Sequence, residues 1–168
     1  LIVSRGLGDV YKRQVLGVMS RTKSSAEESA SLARVIGVGD AKVFNSVTEM
    51  VSDPNINALW ICAPNFTRIE VMEEIVNAIE SGKGELIGVT CEKPLGRNVK
   101  EAKKVLELTQ KVGLLDGYLE NQVFAPSVTR GKEIIWSRGA KATGRPYLAR
   151  AAEEHSGPHM PWFWEGEL

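Results

Sequence analysis

The sequence predicts an α/β fold: a doubly wound parallel sheet that lacks its first strand, followed by the start of an α+β second domain. Three observations predict it. Short apolar runs alternate with segments of helical period from Val15 onward, the helical segments open on capping signals, and each crossover is long enough for a right-handed βαβ connection.

Residues 15–19 form the first strand candidate. Ser24 and Glu27 have capping-box spacing, and Ala26, Ala30, Ala33, Val35 and Ile36 give the next helix an apolar side that Gly37 closes. Ser46 and Glu49 repeat the spacing before a short helix stopped at Asp53 and Pro54, and residues 58–63 read as a second, buried strand. A longer helix is expected over residues 67–81, with Ile69, Met72, Ile75, Val76 and Ile79 at steps of three and four. Residues 86–91 supply the third strand. Asn98 with Glu101 opens a helix whose expected buried stripe is Val99, Ala102, Val105, Leu106 and Val112, and residues 114–119 supply the fourth strand. Beyond Asn121 the rhythm changes. Pro126 opens a helix carrying Val128, Ile134, Ile135 and Trp136, Arg145 and Pro146 lead into a strand over residues 147–152, and Trp162, Phe163 and Trp164 require a covering surface.

Composition narrows the function. The 168 residues hold one domain or one and the start of a second, and 43% hydrophobic with 25% charged residues is globular rather than disordered. Lys plus Arg and Asp plus Glu both total 21, so no basic footprint points to nucleic acid or an anionic membrane; a small-molecule partner is expected. No apolar run approaches the length of a membrane span, and two cysteines without CxxC spacing fit a reducing cytoplasm. Cys62 and Cys91 read as packed strand-end thiols. His155 and His159, four apart around a Gly-Pro turn, do not read as a metal pair, and no metal is expected.

Gly6 and Gly8 imitate a dinucleotide fingerprint, which requires a preceding strand, a further glycine and a full following helix. All three are missing. Residues 1–14 instead resemble translated sequencing-adapter read-through and are set aside as non-native.

At Thr90, Cys91, Glu92, Lys93, Pro94 and Leu95 the chain resembles the signature of the Gfo/Idh/MocA oxidoreductases, the family of glucose-fructose oxidoreductase and inositol 2-dehydrogenase. Asp53-Pro54 before the second strand, Ala63, Pro64 and Asn65 at its end, and Glu120, Asn121 and Gln122 after the fourth follow the family's order. The resemblance implies a partial Rossmann domain over residues 15–122 and, over 123–168, a linker helix and the beginning of a substrate and oligomerisation domain. It also implies an NAD(P)-dependent hydride transfer on a sugar, polyol or related hydroxyl or carbonyl compound by a homo-oligomeric parent enzyme.

In a doubly wound sheet, ligands bind at the carboxyl ends of strands, where Ala63, Pro64, Asn65, Glu92, Lys93, Pro94, Asn121 and Gln122 fall. The family implies that Lys93 lies beside the nicotinamide and assists proton transfer at the substrate oxygen, and that the peptide before Pro94 is cis. Ser20 and Arg21 end the first visible strand, where an acidic residue would bind a ribose 2′-hydroxyl; a hydroxyl with Arg accepts a 2′-phosphate, favouring NADP over NAD. Where the family commonly has His, this chain has Arg68, which either takes that place at the cofactor or faces water. The family's remaining catalytic residues fall beyond Leu168, so a catalytically inactive nucleotide-binding fragment is the alternative expectation.

Overall fold

In the computed structural model, which describes residues 14–152, 154 and 157, the alternation becomes parallel strands joined by helices. Strand β1 (Gly17–Val18) pairs with β2 (Lys42–Val43); β3 (Ala58–Ile61), β4 (Gly88–Glu92) and β5 (Leu115–Leu119) pair in that order. Every pairing is parallel, and α1 (Lys23–Val35), α2 (Val47–Ser52), α3 (Arg68–Glu80) and α4 (Val99–Lys111) make the crossovers. The expected single sheet is thus two ladders, with none joining β1 to β3 among the described residues. In the strand order 3-2-1-4-5-6 that seam is the place of the first strand.

Local chemistry explains the element boundaries. Ser46 Oγ accepts from the Glu49 amide at 3.0 Å, and Glu49 Oε2 accepts from the Asn45 amide at 2.7 Å, which satisfies two exposed donors at the start of α2. Asn98 Oδ1 accepts from the Glu101 amide in the same way at α4. Helix α1 departs from expectation: it starts at Lys23, one residue before the supposed cap, and its N-cap Thr22 makes no side-chain cap bond.

Two apolar stripes also differ from those read in the sequence. Ala26, Ala30 and Ala33 are buried, but Val35 is 79% exposed; nine residues after Ala26, it lies roughly half a turn away at about 100° per residue. Ile36 is also exposed, beyond the last helical residue. On α4 the buried residues are Val105, Leu108 and Thr109, whereas Val99 is exposed at 72% and Leu106 at 41%, because neither lies on that stripe. Strand β2 has no counterpart in the sequence reading. It has two residues, one an exposed Lys, so it carries no alternation signal.

The main core lies between β3–β4 and the helices. Leu59, Ile61, Met72 and Ile75 are fully buried, joined by Val47, Met50, Val51, Val76, Val89, Val105 and Leu108. Each large aliphatic side chain buried here contributes about 1.5–3 kcal/mol by its removal from water. A separate alanine-lined cluster seats α1 on β1 and β2.

The chain divides after Leu119, and the second unit is described by itself. It contains α5 (Asn121–Phe124), α6 (Pro126–Glu133), a π-helical stretch (Ile134–Gly139) and α7 (Ala140–Thr143). Pro126 opens α6 as expected. Residues 147–152 form no strand, contrary to expectation: none of the described strands pairs with them, and Tyr147 is 99% exposed. Gly6, Gly8, His155, His159, Trp162, Phe163 and Trp164, and residues 1–13 of the suspected foreign stretch, lie outside the described residues.

Candidate functional site

A crevice of about 820 Å³ within the first unit follows the seam between the two ladders: apolar Val15, Leu32, Ile36, Val38 and Val47 line much of it, Glu70 and Glu74 of α3 border it, and the carboxyl ends of β1 and β3 open onto it. Met19, Ser20, Arg21 and Thr22 line it from the end of β1, and Cys62, Ala63, Pro64, Phe66 and Thr67 from the end of β3. Four of the residues expected to bind the cofactor, Ser20, Arg21, Ala63 and Pro64, therefore meet there. The sequence reading missed Thr22, Cys62, Phe66 and Thr67, although each lies within three residues of one it selected.

Ser20 and Arg21 are exposed, and Ser20 Oγ accepts from the Thr22 amide at 3.4 Å. The first turn of α1 holds no acidic residue, so the carboxylates that line the crevice, Glu70 and Glu74, come from α3. Opposite, Thr67 Oγ1 donates to the Pro64 carbonyl at 2.8 Å, tying the loop after β3 back on itself.

Glu92, Lys93 and Pro94 sit at the end of β4 and do not line this crevice. Lys93 is exposed, its amide donates to Glu92 Oε2 at 3.2 Å, and the Lys93–Pro94 peptide is cis, as the resemblance implies. Asn65 is half-buried in the turn after β3, outside the crevice lining. Asn121 and Gln122 begin α5 in the second unit and are exposed there.

Arg68 corrects the sequence reading most sharply. At 1% exposure it does not face water, and it is absent from the crevice lining. Its Nε donates to the Ala63 carbonyl at 3.1 Å and its Nη1 to the Glu92 carbonyl. Two of its donors are thus taken by main-chain carbonyls after β3 and at the end of β4.

The two thiols separate as well. Cys91 is buried as expected and its pKa is pushed up by that burial, offset in part by the Arg68 charge. Cys62 is exposed, contrary to expectation, because it follows the last residue of β3 at the crevice; partial desolvation of its thiol still raises its pKa. No cluster of metal-ligating side chains occurs among the described residues, and no described helix is long and apolar enough to cross a membrane.

The strand-end part of this crevice brings a hydroxyl, a guanidinium and the start of α1 to one lip. Residues 5–117 match the family described as oxidoreductase family, NAD-binding Rossmann fold. This chain belongs to the Gfo/Idh/MocA oxidoreductases. The match includes residues 5–14, which the sequence reading set aside.

Among Gfo/Idh/MocA relatives and other curated proteins, the chain is 32% identical over 100 residues to 1,5-anhydro-D-fructose reductase of Ensifer adhaerens, covering 60% of this chain and 27% of that protein. It is 31% identical over 103 residues to D-xylose 1-dehydrogenase (NADP(+)) of Hypocrea jecorina, covering 61% and 24%. A solved oxidoreductase from Thermotoga maritima superposes with a TM-score of 0.60 at 31% identity, over 74% of this chain and 35% of that one. Myo-inositol 2-dehydrogenase from Lactobacillus plantarum, at 18% identity and TM-score 0.57 over 74% and 33%, shares the fold. The chain thus spans about a quarter to a third of the length of these relatives.

Proposed function

We propose that this domain binds NADP(H) in preference to NAD(H), and that the whole enzyme moves hydride between it and a sugar, polyol or related hydroxyl or carbonyl substrate. The crevice that joins Ser20, Arg21 and Thr22 to Ala63 and Pro64 carries the reading. The donor set fits the group: Ser20 Oγ and the Arg21 guanidinium suit a ribose 2′-phosphate, and the carboxylates lining the crevice, Glu70 and Glu74, belong to α3 rather than to the first turn of α1. One of the relatives, the D-xylose 1-dehydrogenase, is named for NADP(+), and others for sugar-derived or polyol substrates.

The nicotinamide supplies the hydride donor or acceptor when bound. Lys93 has the chemistry to donate a hydrogen bond from its ammonium to the reacting oxygen and to hold at Nζ the proton that leaves or joins it. Among the described residues its ammonium has no ion-pair partner, which leaves it available for a ligand. Pro64 and Asn65 after β3 and Lys93 after β4 are the residues that would hold the nicotinamide ring. A second proposal concerns the chain as given: with about a quarter to a third of its relatives' length, it binds dinucleotide without catalysing turnover.

Fluorescence titration of the 168-residue chain with NADPH and NADH tests both proposals. NADPH is expected to bind about tenfold more tightly, and Arg21→Ala to erase the difference by removing one charge-assisted contact worth about 1.5 kcal/mol. Equal affinities for the unaltered chain, or tighter NADH, overturn the NADP assignment. Oxidation of NADPH or NADH by the chain with a sugar carbonyl substrate, or reduction of NADP+ or NAD+ with a polyol or sugar hydroxyl substrate, overturns the inactive reading.

A further inference from the structure

Among the described residues, one charged side chain is buried and the proposed chemistry does not use it. Arg68, the first residue of α3, is 1% exposed and forms no ion pair among the described residues. Removing a guanidinium from water is costly unless its donors are taken up, and here two carbonyl oxygens take them up, one from the loop after β3 and one from the last residue of β4: Ala63 through Nε and Glu92 through Nη1.

The place of these carbonyls explains the need. The β3–β4 ladder ends at the pair Ile61↔Cys91, beyond which the chains diverge and their carbonyls lose ladder partners. Ala63 is a wall of the crevice, and Glu92 is joined by one peptide bond to Lys93. One rigid, planar fork therefore binds the crevice lip to the residue before Lys93. An ammonium on a flexible stem cannot reproduce a fork with fixed directions.

We infer that Arg68 is a positioning residue, which fixes the spacing between the Ala63–Pro64 lip and the Glu92–Lys93 turn through its two carbonyl hydrogen bonds. The inference rests on the proposed dinucleotide function for its binding readout alone; the positioning itself is tested independently of any ligand.

The first measurement uses the unaltered, isotopically labelled chain: through-hydrogen-bond couplings from the Arg68 guanidinium nitrogens to the Ala63 and Glu92 carbonyl carbons. Both are expected; absence of both, with the Arg68 side-chain signals resolved, overturns the inference. The second measurement uses Arg68→Lys, which keeps the charge, and Arg68→Ala with and without millimolar methylguanidinium. In Arg68→Lys the Lys93 and Ala63 amide resonances are expected to move while those of α1 stay in place, and NADPH affinity to fall about tenfold, as for a small displacement of positioning groups. Methylguanidinium is expected to restore the resonances and affinity of Arg68→Ala, whereas equimolar urea is not. Unmoved Lys93 and Ala63 resonances in Arg68→Lys, or equal restoration by urea, overturn the inference. If the unaltered chain shows both couplings but binds no dinucleotide, the proposed function fails and the positioning stands. Should Arg68→Ala not fold, the couplings and Arg68→Lys decide.

Discussion

Lys42 Nζ stands 2.9 Å from Asp53 Oδ2, while Asp53 Oδ1 accepts from the Asn55 amide at 2.9 Å. The Lys42 hydrogen bond, followed by the Asn55 amide, holds the Asp53 carboxyl below its ordinary value of 3.8. Because the folded-state pKa is depressed, the stabilisation is complete above the unfolded value and is lost as pH falls through the folded one. Urea midpoints measured from neutral pH downward should therefore show a decline below about pH 4 that Asp53→Asn reduces, with the variant's deficit confined to the higher pH range. A parallel decline in both proteins would assign the acid sensitivity elsewhere. At this scale the sequence identified residue types well and their environments less well. That Ser20, Arg21, Ala63 and Pro64 would stand together was readable because all four follow strands of one parallel fold. Arg68 was not readable, since nothing in a linear sequence shows that its carbonyl partners, five and 24 residues away, converge beneath one helix start.

The elements separate capped helices from uncapped ones. Ser46 and Asn98 each satisfy an amide in the first turn of their helix, at 3.0 Å, whereas Thr22 makes no such bond. Ser46→Ala and Asn98→Ala should each lower unfolding free energy by about 1 kcal/mol, and Thr22→Ala by much less. Equal losses at all three, measured by urea denaturation, would contradict the assigned caps. The loop from α3 to β4 gives a steric counterpart. A Cβ on Gly84 would lie 1.9 Å from the Val51 carbonyl oxygen, so the backbone there passes directly against the end of α2. Gly84→Ala should cost about 1–3 kcal/mol or more through forced backbone displacement, read as a lower thermal midpoint. An unchanged midpoint would mean that the loop shifts without resistance. Capping signals survive in sequence because their partners are three or four residues apart. Close approaches such as that of Gly84 do not, because their partners come from another element.

Across the molecule, burial is uneven. Leu59, Ile61, Met72 and Ile75 have no exposed surface, while in the second unit Phe124 is 67% exposed and Trp136 52% exposed. Hydrogen exchange should therefore be slowest in peptides covering β3, α3 and β4 and faster in those covering α6, because local opening costs less where little apolar surface is buried. Slower exchange in α6 than in α3 would oppose that ordering.

The sequence by itself determined the alternation of strands and helices, their capping, the parallel βαβ order and the family signature around Lys93. These depend on periodicity, on hydrogen bonds between near neighbours, and on a contiguous motif. Only the tertiary structure decided that the strands form two ladders, that Val35, Val99 and Leu106 lie outside the core, that residues 147–152 remain unpaired, and that Arg68 is buried. Each of those outcomes depends on what a residue meets from a distant part of the chain: a strand requires a partner strand, a stripe requires a facing surface, and a buried charge requires acceptors that folding alone brings within reach.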